Sequence, residues 1–515
     1  MRRGGFASLL AALALSACGQ GGGISLGGGD AAQRFAEYAK SPPLLRAFLY
    51  RMPKGGDLHN HLSGAAYAEA NIRAAALGGL CVETNPVTHE PKVAPPPCNA
   101  PKRPIAEALT NEELNHDLVD AWSMRDFVPT SGRSGHDHFF DTFSLQGGAA
   151  NAATMAAEVV DRAGRQRMRY IELMITFQGR AVSDLADRVA QSTPWADDNA
   201  AFEAALLAVG LADLTKAAKR DIDKLEHDIR AQMGCGTPAA KPGCDVTVRW
   251  LQQVSRTGTK PHVFAASLFG MLLTRAEPRV VGIDFVAPED HPVALADYTP
   301  QMRMLDYLHA RVPEAKISLH AGEITLGLVR PEDLLFHIRE AVELGHASRI
   351  GHGVDVMYET DAFGLLHEMA QRRVAVEINL TSNAQILGVT GNAHPFPVYL
   401  AAGVPVVLST DDEGVERIDR TNELVRAVTM YGLDWTTLIR LERNTLEYAF
   451  VEGASLWADP VSWRRVDVCA SGSEPSAACA AFLQANLKAR LQYAFERDLA
   501  AFDREAAGMS VKTGG

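Results

Sequence analysis

The sequence predicts an α/β protein built on a closed (β/α)8 TIM barrel. Three observations carry that expectation. Eight short, β-branched apolar runs recur along the chain, amphipathic helical patterns separate them, and every cluster of potential chemistry falls at the end of one of the runs. Strands that alternate with helices pair in parallel, and eight is the number that closes such a sheet on itself. An open doubly wound sheet is the alternative, but no Gly-x-Gly-x-x-Gly follows the first run to favour it. The 515 residues suffice for one large barrel with insertions, and a content of 47% hydrophobic and 22% charged residues excludes a disordered chain. With a net charge of −12 and no long basic run, nucleic acid is not an expected partner. Past residue 20 no apolar run reaches the roughly 18–20 residues of a membrane span.

The elements follow in order. Residues 1–17 read as a signal peptide: Arg2 and Arg3, then a short apolar stretch too brief to span. Leu15-Ser16-Ala17-Cys18 resembles a bacterial lipoprotein processing box, which implies lipidation of Cys18; an ordinary secretory peptide is the simpler alternative. Residues 18–30 are Gly-rich and form a tether, so acyl chains would supply the only membrane contact. Export to the periplasm or cell surface follows. A helical extension is expected over 31–52, the barrel over 53–455, and a helical C-terminal segment over 456–515, with a helix at 480–507.

The eight runs are Lys54–Leu62, Met168–Thr176, Asp245–Val254, Arg279–Ala287, Lys316–Glu323, Arg349–Val354, Val374–Asn383 and Val404–Asp412. A long Pro-rich insertion at about 75–140 follows the first, and an amphipathic helical stretch over 199–232 precedes the third. Setting Cys18 aside, six cysteines form three local couples flanked by Gly, Pro, Asn or Ser. We expect bridges Cys81–Cys98, Cys235–Cys244 and Cys469–Cys479 in an oxidising compartment; none of the couples has zinc-knuckle spacing.

Four clusters carry chemistry. His59-Asn60-His61 ends the first run, and period-two geometry puts both imidazoles on one face, a metal pincer at the barrel's C-terminal rim. His320-Ala321-Gly322-Glu323 ends the fifth, adding a third His and a carboxylate. Gly351-His352-Gly353 ends the sixth, with room around the imidazole. Ser409-Thr410-Asp411-Asp412 ends the eighth, and adjacent acids there are costly to bury without a cation. Each has a bland reading: a structural His pair, a surface loop, a tight turn, a helix cap. Four coincidences at four strand ends are much less natural than one site. Three His and one Asp suit a single Zn²⁺ with one position left for water, and no Lys is placed to bridge a second ion.

The set HNHLSGA, SLHAGE, RIGHGV and STDD, in this order, resembles the adenosine deaminase family of metal-dependent barrel hydrolases. The lead-in Met52-Pro53-Lys54-Gly55-Gly56, the helical extension and the stapled insertion are similar to its secreted, growth-factor-like branch. The resemblance implies hydrolytic loss of the 6-amino group of a purine nucleoside, with His59, His61, His320 and Asp411 holding Zn²⁺. It further implies that Glu323 protonates ring N1, that His352 orients the attacking water and assists its proton transfer, that Asp412 contacts the N7 side, and that the Ala287 backbone contacts substrate. A homodimer through the N-terminal helices is implied as well. Two positions depart from the family. Ser63 stands where nucleoside-specific members have an Asp for the ribose, and Ala287 where a Gly is usual. Trp122, Glu289 and Asp290 are the candidates for the missing sugar contact. Competing functions are another barrel amidohydrolase and a non-catalytic binding lipoprotein; a cytidine-deaminase type lacks its Pro-Cys-x-x-Cys motif.

Overall fold

The computed structural model describes residues 29–196, 199–470 and 474–509. The signal segment, Cys18 and most of the Gly-rich tether lie outside the described residues. Among the described residues, eight parallel strands succeed one another in chain order around one sheet. They are Lys54–Asp57 (β1), Met168–Ile175 (β2), Thr247–Ser255 (β3) and Val280–Val286 (β4), then Ile317–Ala321 (β5), Arg349–His352 (β6), Ala375–Ile378 (β7) and Val406–Leu408 (β8). The last joins the first just past the ladder. The His61 N–H donates to the Asp411 carbonyl at 3.1 Å, and the Asp411 N–H donates to the His59 carbonyl at 2.8 Å. The sheet thus closes into the expected barrel. Runs such as VVGIDFV in β4 are apolar almost throughout because helices cover the outer face and side chains fill the inside.

The strands are shorter than their sequence runs. Pairing stops within or just before the motifs, after His320 and His352 but ahead of His59 and Asp411, because the chain turns at the rim: Gly322, His352 and Asp411 all have φ between 57° and 75°. For a residue with a side chain that conformation costs about 1–2 kcal/mol, and such strain collects where a site over-determines it. Inside the barrel, fully buried Arg349 of β6 pairs with Glu172 of β2 at 2.6 Å and with Glu377 of β7. Buried ions persist only when paired, so this triad ties three strands together under the rim.

The helical extension is two helices, Asp30–Tyr38 and Pro42–Arg51, because Pro42 and Pro43 start a new first turn. Phe35 and Phe48 pack with Trp435, and Phe48 also with Phe502 of the helix Leu487–Ala507. The 199–232 stretch is also two helices, Asn199–Ala208 and Leu214–Gln232, parted at Gly210 with φ 96°. At the C-terminus, Ala477–Ala485 and Leu487–Ala507 part at extended Asn486, whose side chain accepts from the Ala454 N–H at 2.8 Å.

The insertion after β1 has a core of its own. Ile72, Val82, Ile105, Leu118 and Trp122 are buried between helices and a three-stranded antiparallel sheet. Its last helix, Gly135–Gln146, starts at a capping box made by Ser134 and Asp137 and reaches the barrel mouth. Bridges Cys81–Cys98, Cys235–Cys244 and Cys469–Cys479 are all present. No helix of the described residues is long and apolar enough to cross a membrane.

Candidate metal and active centre

Four side chains from three strand ends meet at the barrel mouth. The ligand atoms of His59, His61, His320 and Asp411 all lie within 4.8 Å of one another, and all four residues are buried. Asp411 Oδ1 is 3.4 Å from His59 Nε2 and 3.3 Å from His61 Nε2, and His61 Nε2 is 3.0 Å from His320 Nε2. Donors about 2.0–2.1 Å from a tetrahedral cation stand roughly 3.3 Å apart, which is the spacing found.

The hydrogen bonding around the cluster fits a cation. His59 Nδ1 is 2.7 Å from Glu377 Oε2, and His320 Nδ1 is 2.8 Å from Asp284 Oδ1. Each carboxylate accepts a hydrogen bond from Nδ1–H, which turns the Nε2 edge inward, where its lone pair would meet a metal. His61 Nδ1 lies 2.9 Å from the side-chain amide of Gln253, whose carbonyl end can accept a proton there in the same way. His59 Nε2 is buried with no hydrogen-bond partner. Lone pairs converging without a proton between them repel; a divalent cation is the species that satisfies them all. Burial pushes His61 down to about 4 and holds His320 well below the usual imidazole range. Burial opposes ionising Asp411 too, but His59, which against its own burial is raised by Asp411 and Glu377 well above the usual imidazole range, outweighs it and keeps the carboxylate charged.

The acid and base candidates border the same centre. Glu323 Oε1 is buried, has no hydrogen-bond partner and is 3.4 Å from His352 Nδ1. Burial, then the charges of Asp411 and Glu289, raises Glu323 well above the ordinary carboxyl range, so it carries its proton. His352 is buried; burial holds it neutral, its Nδ1 lies 3.0 Å from the Asn383 amide, and its Nε2 has no hydrogen-bond partner and sits 3.7 Å from Asp411 Oδ2. Asp412 is raised well above its usual range by burial and by Asp411, with Oδ1 unpartnered. Gly64 makes room for it: a Cβ there would sit 1.8 Å from Asp412 Oδ1.

A cavity of about 300 Å³ opens onto this centre. His61, His320, Glu323, Asp411 and Asp412 line its inner end. Phe139, Phe140 and Phe143 of the insertion helix, with Ile386, line its apolar wall. Ser63 and Ala287 also line it. Ala287 has φ 82°, a left-handed conformation that suits glycine. Replacing Ala287 with Gly is expected to raise the unfolding free energy by about 0.5 kcal/mol, read from urea midpoints. A loss of stability would show that the methyl packs better than the backbone is strained.

The three sugar-contact candidates are placed elsewhere. Trp122 is fully buried in the insertion core and donates to the Pro91 carbonyl at 3.0 Å. Glu289 is buried behind the β5 exit, not in the cavity lining. Asp290 pairs with His136 at 3.0 Å, tying the insertion helix to the β4 exit. Conversely, Glu377, Asp284, Gln253, Asn383 and the three phenylalanines had no role in the sequence reading. The acids inside the apolar runs VAVEIN and VVGIDF were the available signal, since a carboxylate in a strand buried on both faces needs a cationic or hydrogen-bonding partner.

Comparison with known proteins agrees with this geometry. The sequence model of the adenosine deaminase family matches residues 134–455, more than half of the chain. His59 and His61 lie upstream of that segment, and the fold brings them to it. The adenosine deaminase of Mycobacterium sp. (strain KMS) is 28% identical over 223 residues, 41% of this chain and 56% of that protein. That of Escherichia coli (strain SMS-3-5 / SECEC) is 35% identical over 143 residues, 28% of this chain and 40% of that protein. The chain thus spans about half the length of the curated relatives it matches. Among solved structures, the Arabidopsis N6-mAMP deaminase MAPDA superposes with a TM-score of 0.51 at 18% identity, covering 87% of this chain and 99% of that one, a likeness of fold. With the family match running through the fifth, sixth and eighth strand-end motifs that build the centre, the chain belongs to the adenosine deaminase family.

Proposed function

We propose that the protein is a Zn²⁺-dependent hydrolase that converts adenosine and water to inosine and ammonia. The observation that carries this reading is the place of Glu323, a carboxyl largely enclosed at the inner end of the same cavity as the His59, His61, His320 and Asp411 cluster, in surroundings that favour its acid form. Held by those four residues, Zn²⁺ supplies an activated water near neutral pH. The chain's own groups do the rest. Neutral His352, with Nε2 unpartnered, accepts the proton of the attacking water. Glu323 gives its proton to ring N1 as C6 becomes tetrahedral and negative charge moves onto the ring. His352 then passes the proton it took to the 6-amino group, the C6–N bond breaks to release ammonia, and the C6 hydroxyl proton returns Glu323 to its acid form. Asp412 stays protonated beside ionised Asp411, so its hydroxyl can donate to N7, an acceptor. The phenylalanine wall covers the purine and excludes bulk water, which strengthens each of these interactions.

The same lining favours a nucleoside over a nucleotide. It carries no Lys or Arg among the described residues, so a 5′-phosphate would meet no counterion there. Ultraviolet monitoring of the purified chain with Zn²⁺ is expected to show adenosine converted to inosine, with kcat/KM for AMP at least ~10²-fold lower. Equal rates on AMP would overturn the nucleoside assignment. No ammonia from any 6-aminopurine would overturn the deaminase reading. Export and lipid anchoring through Cys18 form part of this proposal. Export is supported by three disulfide bridges, which suit an oxidising compartment, and anchoring by the resemblance of Leu15-Ser16-Ala17-Cys18 to a lipoprotein processing box.

A further inference from the structure

We infer that Glu289 is the positioning residue for Glu323, an inference that rests on the deaminase reading for its link to turnover. Glu289 is 2% exposed and absent from the cavity lining, so it touches no substrate. Its two carboxylate oxygens do separate work. Oε1 accepts the Gly322 N–H at 3.0 Å, and Oε2 accepts the Glu323 N–H at 2.8 Å. These are the first two amides past the end of β5, where the ladder has stopped and Gly322 turns at φ 75°. Buried donors at such a turn must find acceptors. One side chain from the β4 exit supplies both, and in doing so sets the direction in which Glu323 leaves the backbone.

The carboxylate is itself held from behind. His337 Nδ1 lies 2.6 Å from Oε1, with neither side chain exposed, and Arg256 Nη1 lies 3.7 Å from Oε2. Tyr298 stacks on His337 at 3.8 Å and donates its hydroxyl to the His337 carbonyl at 2.7 Å. Arg256 also donates to the carbonyls of Phe285 and His320, at 3.0 and 2.9 Å. Arg256 and Glu289 therefore fix the backbone on both sides of Ala321-Gly322: the carbonyl of a ligand residue before it, the amide of the acid after it. The arrangement demands two anionic acceptor oxygens. Glutamine has the same shape but one acceptor, and its NH₂ would face an N–H.

The test is Glu289→Gln, with residue-resolved amide exchange, bound metal and steady-state kinetics measured together well below the melting temperature. We expect exchange at Gly322 and Glu323 to speed up at least ~10-fold and kcat for adenosine to fall about 10²-fold, the scale of a misplaced catalytic group. KM should stay within about 3-fold and metal at one per chain. A purely stabilising residue would lower the melting temperature and leave kcat of the folded protein unchanged. Unaltered exchange at the two amides overturns the inference, as does a loosened loop with full kcat. If Glu289→Gln does not fold, His337→Gln keeps both N–H bonds but frees the carboxylate; a drop in kcat of about 10-fold is expected, and no drop overturns the inference. If the unsubstituted chain releases no ammonia from adenosine, the deaminase reading fails on its own, and the exchange data alone decide whether Glu289 holds the loop.

Discussion

Glu323→Gln is expected to lower kcat for adenosine about 10³-fold at pH 7, with KM and bound metal nearly unchanged. Loss of a general acid costs about 10²–10⁴-fold, and the other raised acid of the cavity lining, Asp412, is the one read as facing N7. Glutamine keeps the volume and can still hydrogen-bond the ring, so binding survives. The same change should stabilise the fold. Burial and the charges of Asp411 and Glu289 raise the Glu323 carboxyl well above its ordinary range. A group whose folded pKa is raised stabilises fully below its unfolded pKa, and that contribution is lost as pH rises through the folded value. Glutamine has no proton to lose. The variant should therefore melt higher than the parent at neutral and mildly alkaline pH, and equally at pH 4. In the parent, activity should decline as pH rises through the elevated Glu323 pKa, because the acid form is the working form. Retained turnover in Glu323→Gln would remove Glu323 from the chemistry; an unchanged melting profile would show that the carboxyl ionises freely in the folded state.

The sequence made the barrel legible because parallel strands buried on both faces are short, apolar and regularly interrupted by helices. It made the centre legible because four His- or acid-bearing motifs, HNH, HAGE, GHG and STDD, stand at the ends of those runs. What it hid depends on distances in space. Glu377 is 318 residues from the His59 it orients, and Asp284 is 36 from His320. Neither pairing leaves a local pattern. Phe139, Phe140 and Phe143 read as an ordinary apolar helix face, and only the fold of the insertion swings that face over the mouth. Glu289 reads in the sequence as an acid just past a strand end, one of three candidates for the sugar contact, and the structure places it outside the cavity lining. A strand-end position gives the rim, while the backbone turn that follows, with Ala287 at φ 82°, sets which way the next residues face.

Asp411→Asn is expected to empty the centre and reduce kcat/KM at least ~10⁴-fold, with no recovery on adding Zn²⁺. Chelation of the parent should give the same loss, and Zn²⁺ should reverse it. Elemental analysis beside ammonia release checks both. The two treatments separate because of where the charge sits. Three of the four donors are imidazoles that coordinate as neutral groups, and burial already keeps His61 and His320 in that form. Glu377 and Asp284 act one ring away, through the Nδ1 hydrogen bonds, and tune donor strength without touching the ion. Asp411 is thus the single anionic oxygen within the four-donor set. An amide there keeps the volume and loses both the charge and most of the donor power, while the three lone pairs still face one another. The parent should also melt lower after chelation, since a ligand that binds only the folded chain at 100 times its Kd contributes about 2.7 kcal/mol. A variant that keeps one metal per chain and turns over adenosine would show that the histidines alone hold the ion and that Asp411 serves another purpose.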